Sequence, residues 1–250
     1  MPLPQWIIVG LRSLVILGAL FALELMVRLE WINPLFLARP TSWVGAFRAL
    51  MAEGELPKLA WITLSEIGLT FLVGGAAGLL LGTLLYRFRR VGEASSSLLG
   101  AMFASPIVLL YPIFLVIFGR NRMAIMAQAM VTGIIPIILQ TRNSFLHVNE
   151  TLIDVGRVLN LTRRQMFFHI MLPAAAPMIF TGIRLGLIYM LLSIIAIEYI
   201  VGVGGLGNLV SDAYFRLNTD ELYVGVITVG LLSLIFYTFL TRAQRWVQRM

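Results

Sequence analysis

The side chains with the clearest chemical pattern lie in residues 150–177, hereafter the polar segment, which separates two long apolar stretches. Asp154 and Arg157 stand three residues apart in it, and Arg163 and Arg164 follow after a polar turn. Opposite charges at helical spacing on a water-facing surface fix the register of a binding partner. We therefore predict that a partner molecule on the aqueous side of a membrane binds the polar segment.

Metal binding and catalysis have weaker support. His147, Glu150 and Asp154 stand at i, i+3 and i+7 and could share a metal, but exposed polar residues on one side of a helix give the same spacing. The chain has no cysteine, which excludes disulfides, thiolate ligands and cysteine nucleophiles. An intramembrane enzyme would need a nucleophile and a base that converge. We predict no metal site, no catalytic residue and no enzymatic activity.

A glycine-rich stretch, GVGGLG at residues 202–207, could cradle a phosphate only if it joined a strand to a helix. It follows an apolar span that contains Glu198, so we expect a turn or a gate there. Ionisable groups at membrane depth usually face a partner or a cavity. Glu198 is expected to hydrogen-bond the glycine-rich backbone after Tyr199, and a structural role or a substrate contact would both explain it. No Walker A motif occurs, so we expect no ATP hydrolysis by this chain.

The elements that must position these groups are membrane helices. The chain is 59% apolar and 12% charged, with a mean hydropathy of +0.91, so most of it is expected to lie in lipid. We predict an all-α, polytopic membrane bundle of six transmembrane helices, with the polar segment as a cytoplasmic two-helix element between spans 4 and 5. The six apolar runs are residues 7–27, 66–86, 98–118, 123–141, 178–201 and 222–241.

Two parts of the chain are distinguished. Residues 1–56 are predicted to form an N-terminal transmembrane anchor and an external linker, in which Pro34 and Pro40 favour extended or turn backbone. Residues 57–246 are predicted to form the transmembrane core, beginning with one helix from about Pro57 to Arg87. The first apolar run resembles a signal peptide but is too long and lacks a cleavage site, so it is expected to be retained.

Small residues and prolines indicate how the helices meet. The second and fifth spans carry glycines four residues apart: Gly74, Gly78, Gly82, Gly182 and Gly186. Glycines at this spacing allow close helix packing, and the simpler prediction is packing within one subunit, with packing between two subunits as the alternative. Pro106 and Pro112 are expected to interrupt the third span and Pro136 the fourth. Kinked helices around a passage and prolines tolerated in a packed bundle are both consistent with these positions.

The polar segment carries local folding signals. Asn149 can cap a helix that begins at Glu150, and Asn160 suits the left-handed conformation that ends it. Thr162 and Gln165 form a capping box that opens a second short helix. We expect that helix to end at Leu172 and Pro173 and the fifth span to start at Pro177.

Lysine and arginine counts near the span ends set the orientation. With both termini in the cytoplasm, ten of these residues lie inside and seven outside, although Arg120 and Arg122 count against this assignment. The net charge of +7 is therefore explained by membrane orientation, and nucleic acid is not expected as a partner.

The polar segment is similar to the cytoplasmic "EAA" loop of type I ABC-importer permeases, in the branch for nitrate, taurine, aliphatic sulfonates and thiamine precursors. The matching residues are Asp154, Gly156-Arg157, Leu159-Asn160, Thr162-Arg163, Phe167-Phe168 and Leu172-Pro173-Ala174-Ala175. This chain departs from the family at Gly156, where alanine is usual, and at Asn160, where glycine is usual. The resemblance extends from about Leu59 to Trp246 and includes FGRNRMAI, IIPIILQT, TGIRLGL and IEYIVGVGGLGNLVSDA.

The resemblance implies a permease subunit of an ATP-driven importer in the bacterial inner membrane. It also implies a partner dimer of ABC ATPase subunits that binds ATP and Mg²⁺, an extracytoplasmic substrate-binding protein, a second permease copy or a related permease, and membrane lipid. The implied ATPase-coupling residues are Glu150, Leu152, Asp154, Val155, Gly156, Arg157, Leu159, Asn160, Arg163, Arg164 and Phe167. The residues expected at the pathway or a gate are Pro106, Tyr111, Glu198, Tyr199, Gly205 and Gly207.

Other interpretations stay open. An amphipathic connector lying on the lipid surface would also bury an apolar stripe and expose arginines. An ATP-independent secondary transporter is the alternative function, although inverted repeats and broken helices, which that class usually shows, are not evident. Co-purification with an ATPase distinguishes the two transport classes. The branch implies a small anion such as a sulfonate or nitrate, or a vitamin precursor, as the transported solute.

Overall fold

A computed structural model describes residues 5–33 and 36–247, and within them the chain is helical and contains no strand. The helices are α1 (Gln5–Arg28), α2 (Pro40–Ala52), α3 (Glu55–Arg87), α4 (Arg89–Ala104), α5 (Tyr111–Phe118), α6 (Arg122–Leu146), α7 (Glu150–Val158), α8 (Arg163–Gln165), α9 (Leu172–Val201), α10 (Gly205–Phe215) and α11 (Thr219–Val247). A 3₁₀ turn (Ile107–Leu110) precedes α5, and a π turn (Met166–Met171) joins α8 to α9. The predicted all-α membrane bundle is confirmed.

Among the described residues, five continuous stretches are long and apolar enough to cross a membrane. A sixth crossing is possible only if α4 and the 3₁₀–α5 unit count together, and these two parts are bent by 88°. The third predicted span, residues 98–118, is therefore not one straight helix. Ser105 is extended because the residue before a proline avoids the helical region, and Pro106 directly precedes the 3₁₀ turn.

The centre of the bundle is built from α3, α6 and α9, and glycines set their separation. A Cβ atom at Gly78 of α3 would lie 2.8 Å from Ile137 Cγ2, and one at Gly82 would lie 2.6 Å from Thr141 Cβ. A Cβ atom at Gly182 of α9 would lie 2.5 Å from Gln140 Cβ of α6. These glycines therefore allow close helix packing within this subunit, which is the simpler of the two predicted roles.

Two helices continue through prolines at which the sequence suggested a break. Pro136 does not interrupt α6, which continues through this residue while packed between α3 and α9, so of the two interpretations a proline tolerated in a packed bundle is confirmed there. The break expected between Pro173 and Pro177 is wrong. From Arg163 the chain passes through α8, the π turn and α9 without leaving the helix until Val201. The π turn changes the hydrogen-bond register just before Pro173, where an ordinary helix would be disrupted.

The predicted linker contains a helix that sequence reasoning missed. Arg39 is extended, as expected before Pro40, but Pro40 then occupies the first turn of α2. This helix packs against the start of α11, where the rings of Trp43 and Tyr223 stack with centroids 5.1 Å apart. Pro34 lies outside the described residues. The division at residues 56 and 57 falls inside the first turn of α3 and stays a prediction.

Candidate functional site

The polar segment forms a helix, a left-handed corner and a capped second helix. The Asn149 side chain accepts a hydrogen bond from the backbone N–H of Thr151 and caps α7. Asn160 has φ +51°, which confirms the left-handed residue predicted after the helix. Thr162 and Gln165 exchange hydrogen bonds in the predicted capping box. These local bonds define the direction in which each short helix leaves the corner.

An apolar groove opens on the outer side of α7. The side chains of Leu152, Val155 and Leu159 are exposed, at 43%, 49% and 63% of their surface. They line a cavity of about 630 Å³ together with residues from the corner and from the helix that follows: Leu161, Gln165, His169, Ile170, Pro173 and Ala174. Exposed apolar side chains that converge on one groove are typical of a docking surface.

Two of the residues assigned to partner contact face inward instead. Gly156 is buried, and a Cβ atom there would lie 2.6 Å from side-chain atoms of both Met166 and Ile170. Phe167 is partly buried and packs on Phe145 of α6, with ring centroids 5.4 Å apart. Both residues therefore hold α7 and the π turn against the bundle, and the groove and the charges remain on the outside.

The charged residues of the polar segment are on its surface. Asp154 and Arg157 form an ion pair at 2.8 Å with both side chains mostly exposed, so the pair itself adds little to stability. Glu150 lies in the first turn of α7, and Arg163 and Arg164 are exposed beside the corner. Their charges are available to a partner.

A second cavity, of about 300 Å³ and hereafter called the central cavity, lies where the third predicted span breaks. Its walls come from α4, the 3₁₀ turn, α6 and α9, and they include the hydroxyl-bearing residues Ser105, Thr132, Tyr189 and Ser193. Phe103 meets the ring of Tyr189 edge to face, with centroids 5.0 Å apart. The residues lining this cavity include no charged side chain, so it offers hydrogen bonds and apolar surface to a solute.

Four of the six residues predicted for the pathway or a gate come together where α9 ends and α10 begins, and the other two lie elsewhere. Pro106 lines the central cavity, but Tyr111 packs against the buried cluster between α3, α6 and α9. Tyr199 and Gly207 line a separate surface cavity of about 500 Å³. Glu198 and Gly205 are buried at the end of α9.

Glu198 organises the end of the bundle farthest from α7. Its Oε2 accepts a hydrogen bond of 2.9 Å from the backbone N–H of Gly207, which confirms the predicted bond to the glycine-rich stretch. The hydroxyl of Thr63 donates to Glu198 Oε1 at 2.7 Å. Gly205 has φ +86°, and a Cβ atom there would collide with the Glu198 carboxyl group, so both its backbone and its contacts require glycine.

Two further interactions at this end of the bundle, an ion pair of Glu66 with Arg122 and a backbone contact of Arg120, were not predicted from the sequence. Arg122 Nε donates to Glu66 Oε1 at 2.6 Å, and Glu66 is 1% exposed. Arg120 Nε donates to the carbonyl oxygen of Val201 at 2.7 Å and ties the start of α6 to the end of α9. Glu66 stands alone at the edge of an apolar stretch, and isolated charges at such positions usually have a partner. That signal could have led to Arg122.

No group of three or more metal-binding side chains is found among residues 5–33 and 36–247. The histidines hydrogen-bond their own helices, His147 through the Asn143 carbonyl and His169 through that of Gln165.

Comparisons with known proteins agree with this architecture. The chain is 29% identical over 178 residues to the nitrate import permease protein NrtB of Synechocystis sp., and the aligned region covers 71% of this chain and 65% of that protein. It is 27% identical over 244 residues to the bicarbonate transport system permease protein CmpB of Synechococcus elongatus, and this aligned region covers 96% of this chain and 88% of that protein. The chain therefore spans just under two thirds of the first relative and most of the second.

Solved structures show the same fold. A chain of the MetNI methionine ABC transporter in inward-facing conformations superimposes with a TM-score of 0.66 at 22% identity, over 77% of this chain and 95% of that chain. The sequence model of the binding-protein-dependent transport system inner membrane component matches residues 74–250. That match covers well over half of the 250 residues of this chain. The chain therefore belongs to the family of binding-protein-dependent transport system inner membrane components.

Proposed function

We propose that this permease passes the closing motion of a partner ATPase dimer to its membrane helices through the polar segment. The partner would bind ATP and Mg²⁺, and this chain would supply the alternating-access pathway. The observation that carries the proposal is the exposed apolar groove of α7, which is held against a helix that continues into the membrane.

The groove has the chemistry of a docking site for a protein. Leu152, Val155 and Leu159 offer apolar contact area, and burying such side chains contributes about 25 cal/mol per Å². Asp154, Arg157 and the neighbouring arginines surround this area with charge, which favours one orientation of the partner. A connector lying on lipid would bury the same groove, so the partner must be tested directly.

The connection between the groove and the bundle is suited to transmitting force. Gly156 packs directly on the π turn, and Phe167 fixes that turn to α6. Since the helix runs unbroken from Arg163 to Val201, a displacement of α7 would move the fifth predicted span as one body. The central cavity beside Tyr189 and Ser193 lies on that same helix.

The transported solute is proposed from the relatives together with the cavity. Relatives are named for nitrate, bicarbonate and, in Bacillus subtilis, for aliphatic sulfonates (27% identity over 209 residues, 84% of this chain and 76% of that protein). We propose a small anion that a binding protein delivers and that hydroxyl groups of the central cavity contact. We further propose a bacterial inner-membrane location, both termini in the cytoplasm and a second permease subunit that completes the pathway.

The test uses charge reversal on α7. Asp154→Lys and Arg157→Glu should each abolish most of the ATPase activity that a substrate-loaded binding protein stimulates. The physical reason is that these charges would fix the orientation in which the ATPase docks on α7. The measurement is ATP hydrolysis and solute uptake by the complete transporter in proteoliposomes. Wild-type rates in both variants would contradict the proposal.

Arg245→Glu is the matched control. Arg245 is exposed in the last turn of α11, outside the polar segment. Its reversal changes the net charge by the same amount as Arg157→Glu. We expect it to leave stimulated ATPase activity close to that of the wild type. An equal loss in this control would indicate a general charge effect.

A further inference from the structure

A buried arginine whose Nε–H group has no acceptor lies at the end of the bundle that carries α7. Arg142, near the end of α6, is only 7% exposed. Within residues 5–33 and 36–247 its Nε–H has no hydrogen-bond partner, and none of the ion pairs found there includes it. Removing this N–H group from water costs free energy that a hydrogen bond to an acceptor must offset. The position therefore indicates an anion that is supplied from outside this chain.

The backbone beside Arg142 is shaped to admit its side chain. A Cβ atom at Gly92 of α4 would lie 2.7 Å from Arg142 Nε and closer still to the carbonyl oxygen of Leu85. The Arg142 side chain thus lies against the junction where α3 ends and α4 begins. Only glycine at position 92 leaves this space open.

The surface of the α3–α4 junction combines positive charge with apolar side chains. Three exposed arginines and three exposed apolar residues stand within about two turns of Gly92: Arg87, Arg89, Arg90, Leu84, Phe88 and Val91. Clustered guanidinium groups bind phosphate oxygens, and the exposed apolar side chains match an acyl chain. A soluble anion would gain nothing from that apolar surface, so the combination favours a lipid.

We propose that Arg142 and the α3–α4 junction bind the phosphate of an anionic phospholipid headgroup. The bound phosphate would accept hydrogen bonds from the guanidinium and hold the start of α4 against α6. The site would make the stability of the bundle depend on the charge of the surrounding lipid, whichever solute is transported.

The experiment places the complete transporter in nanodiscs of phosphatidylcholine, with and without phosphatidylglycerol. Phosphatidylglycerol should raise the thermal unfolding midpoint of the wild type, and Arg142→Gln should lose most of that rise. Arg245→Gln, which removes an exposed arginine from the last turn of α11, should keep it. An equal rise in wild type and Arg142→Gln would overturn the proposal. So would a full rise from inorganic phosphate in phosphatidylcholine alone, which would identify a soluble anion.

A second variant keeps the test valid if Arg142→Gln does not assemble. Arg142→Lys retains the positive charge but lacks the paired N–H donors of a guanidinium. Native mass spectrometry should find fewer phosphatidylglycerol molecules retained by this variant than by the wild type. Equal retention would overturn the proposal.

Discussion

The hydroxyl group of Thr63 connects three helices at the end of the bundle farthest from α7. It donates a hydrogen bond to Glu198 on α9 and accepts one of 2.8 Å from the backbone N–H of Leu206 on α10. The site is fully buried, so each group that loses its partner pays its desolvation cost. One small side chain on α3 therefore determines how the glycine-rich turn is seated.

We predict that Thr63→Val lowers the stability of the permease by about 1–3 kcal/mol, because two buried partners become unsatisfied. Thr70→Val is the control on the same helix, since the Thr70 hydroxyl is also buried but has no partner in the described residues. Thermal unfolding in detergent measures both. Equal midpoints for the two variants would show that the Thr63 hydrogen bonds are unimportant.

At this scale, sequence reasoning found residues whose partners are nearby in the chain. The bond from Glu198 to the glycine-rich backbone and the left-handed Asn160 were both predicted, because each depends on neighbours within a few residues. The pair of Glu66 and Arg122 was missed, since 56 residues separate its members and only the packing of α3 against α6 brings them together. The coupling roles within the polar segment stay predictions.

Helix α3 shows how one element uses two kinds of glycine. Gly78 faces α6, where Ile137 fills the space that a Cβ atom would need. Gly68 faces outward and has no atom within 4 Å of such a position. The same residue type is therefore required for packing at one site and only lowers helix propensity at the other.

We predict that Gly78→Ala destabilises the bundle by about 1–3 kcal/mol, because Ile137 and the helices must shift to admit the methyl group. Gly68→Ala should be neutral or stabilising, since alanine is favoured over glycine in a helix interior by about 1 kcal/mol. Thermal unfolding midpoints of the two variants provide the comparison. Destabilisation by Gly68→Ala as large as that by Gly78→Ala would disprove the packing argument.

Element boundaries followed local signals where those signals were complete. The start of α7, the capping box and the long helix ending at Arg87 were predicted closely. The continuous helix through Pro173 and Pro177 was not, because a π turn depends on how the segment packs against α6 and leaves no simple sequence mark. The interruption expected at Pro106 is confirmed by the 88° bend between α4 and the 3₁₀ turn, but the angle of that bend could not be predicted from apolar content.

At the scale of the whole molecule, the polar segment and the Glu198 junction occupy opposite ends of α9, and the central cavity lies between them. This arrangement agrees with a permease that is driven from one side of a membrane and loaded from the other. The lysine and arginine balance favours the α7 end as the cytoplasmic one.

Site-directed labelling tests this orientation cleanly, because the native chain contains no cysteine. Val158→Cys places a thiol at the 80% exposed end of α7, and Leu217→Cys places one in the exposed turn between α10 and α11. A maleimide that cannot cross membranes should label Leu217→Cys in intact cells, and Val158→Cys only after permeabilisation. The reverse pattern would invert the proposed topology.

The uninterrupted helix from Arg163 to Val201 restricts which changes in chain length the molecule can accept. At 1.5 Å and 100° per residue it rises about 60 Å, roughly twice the thickness of the hydrocarbon layer. Deleting or inserting one residue between the π turn and the membrane would rotate the groove by about 100° relative to the cavity wall. This stretch is therefore expected to diverge by substitution and to resist single-residue gaps.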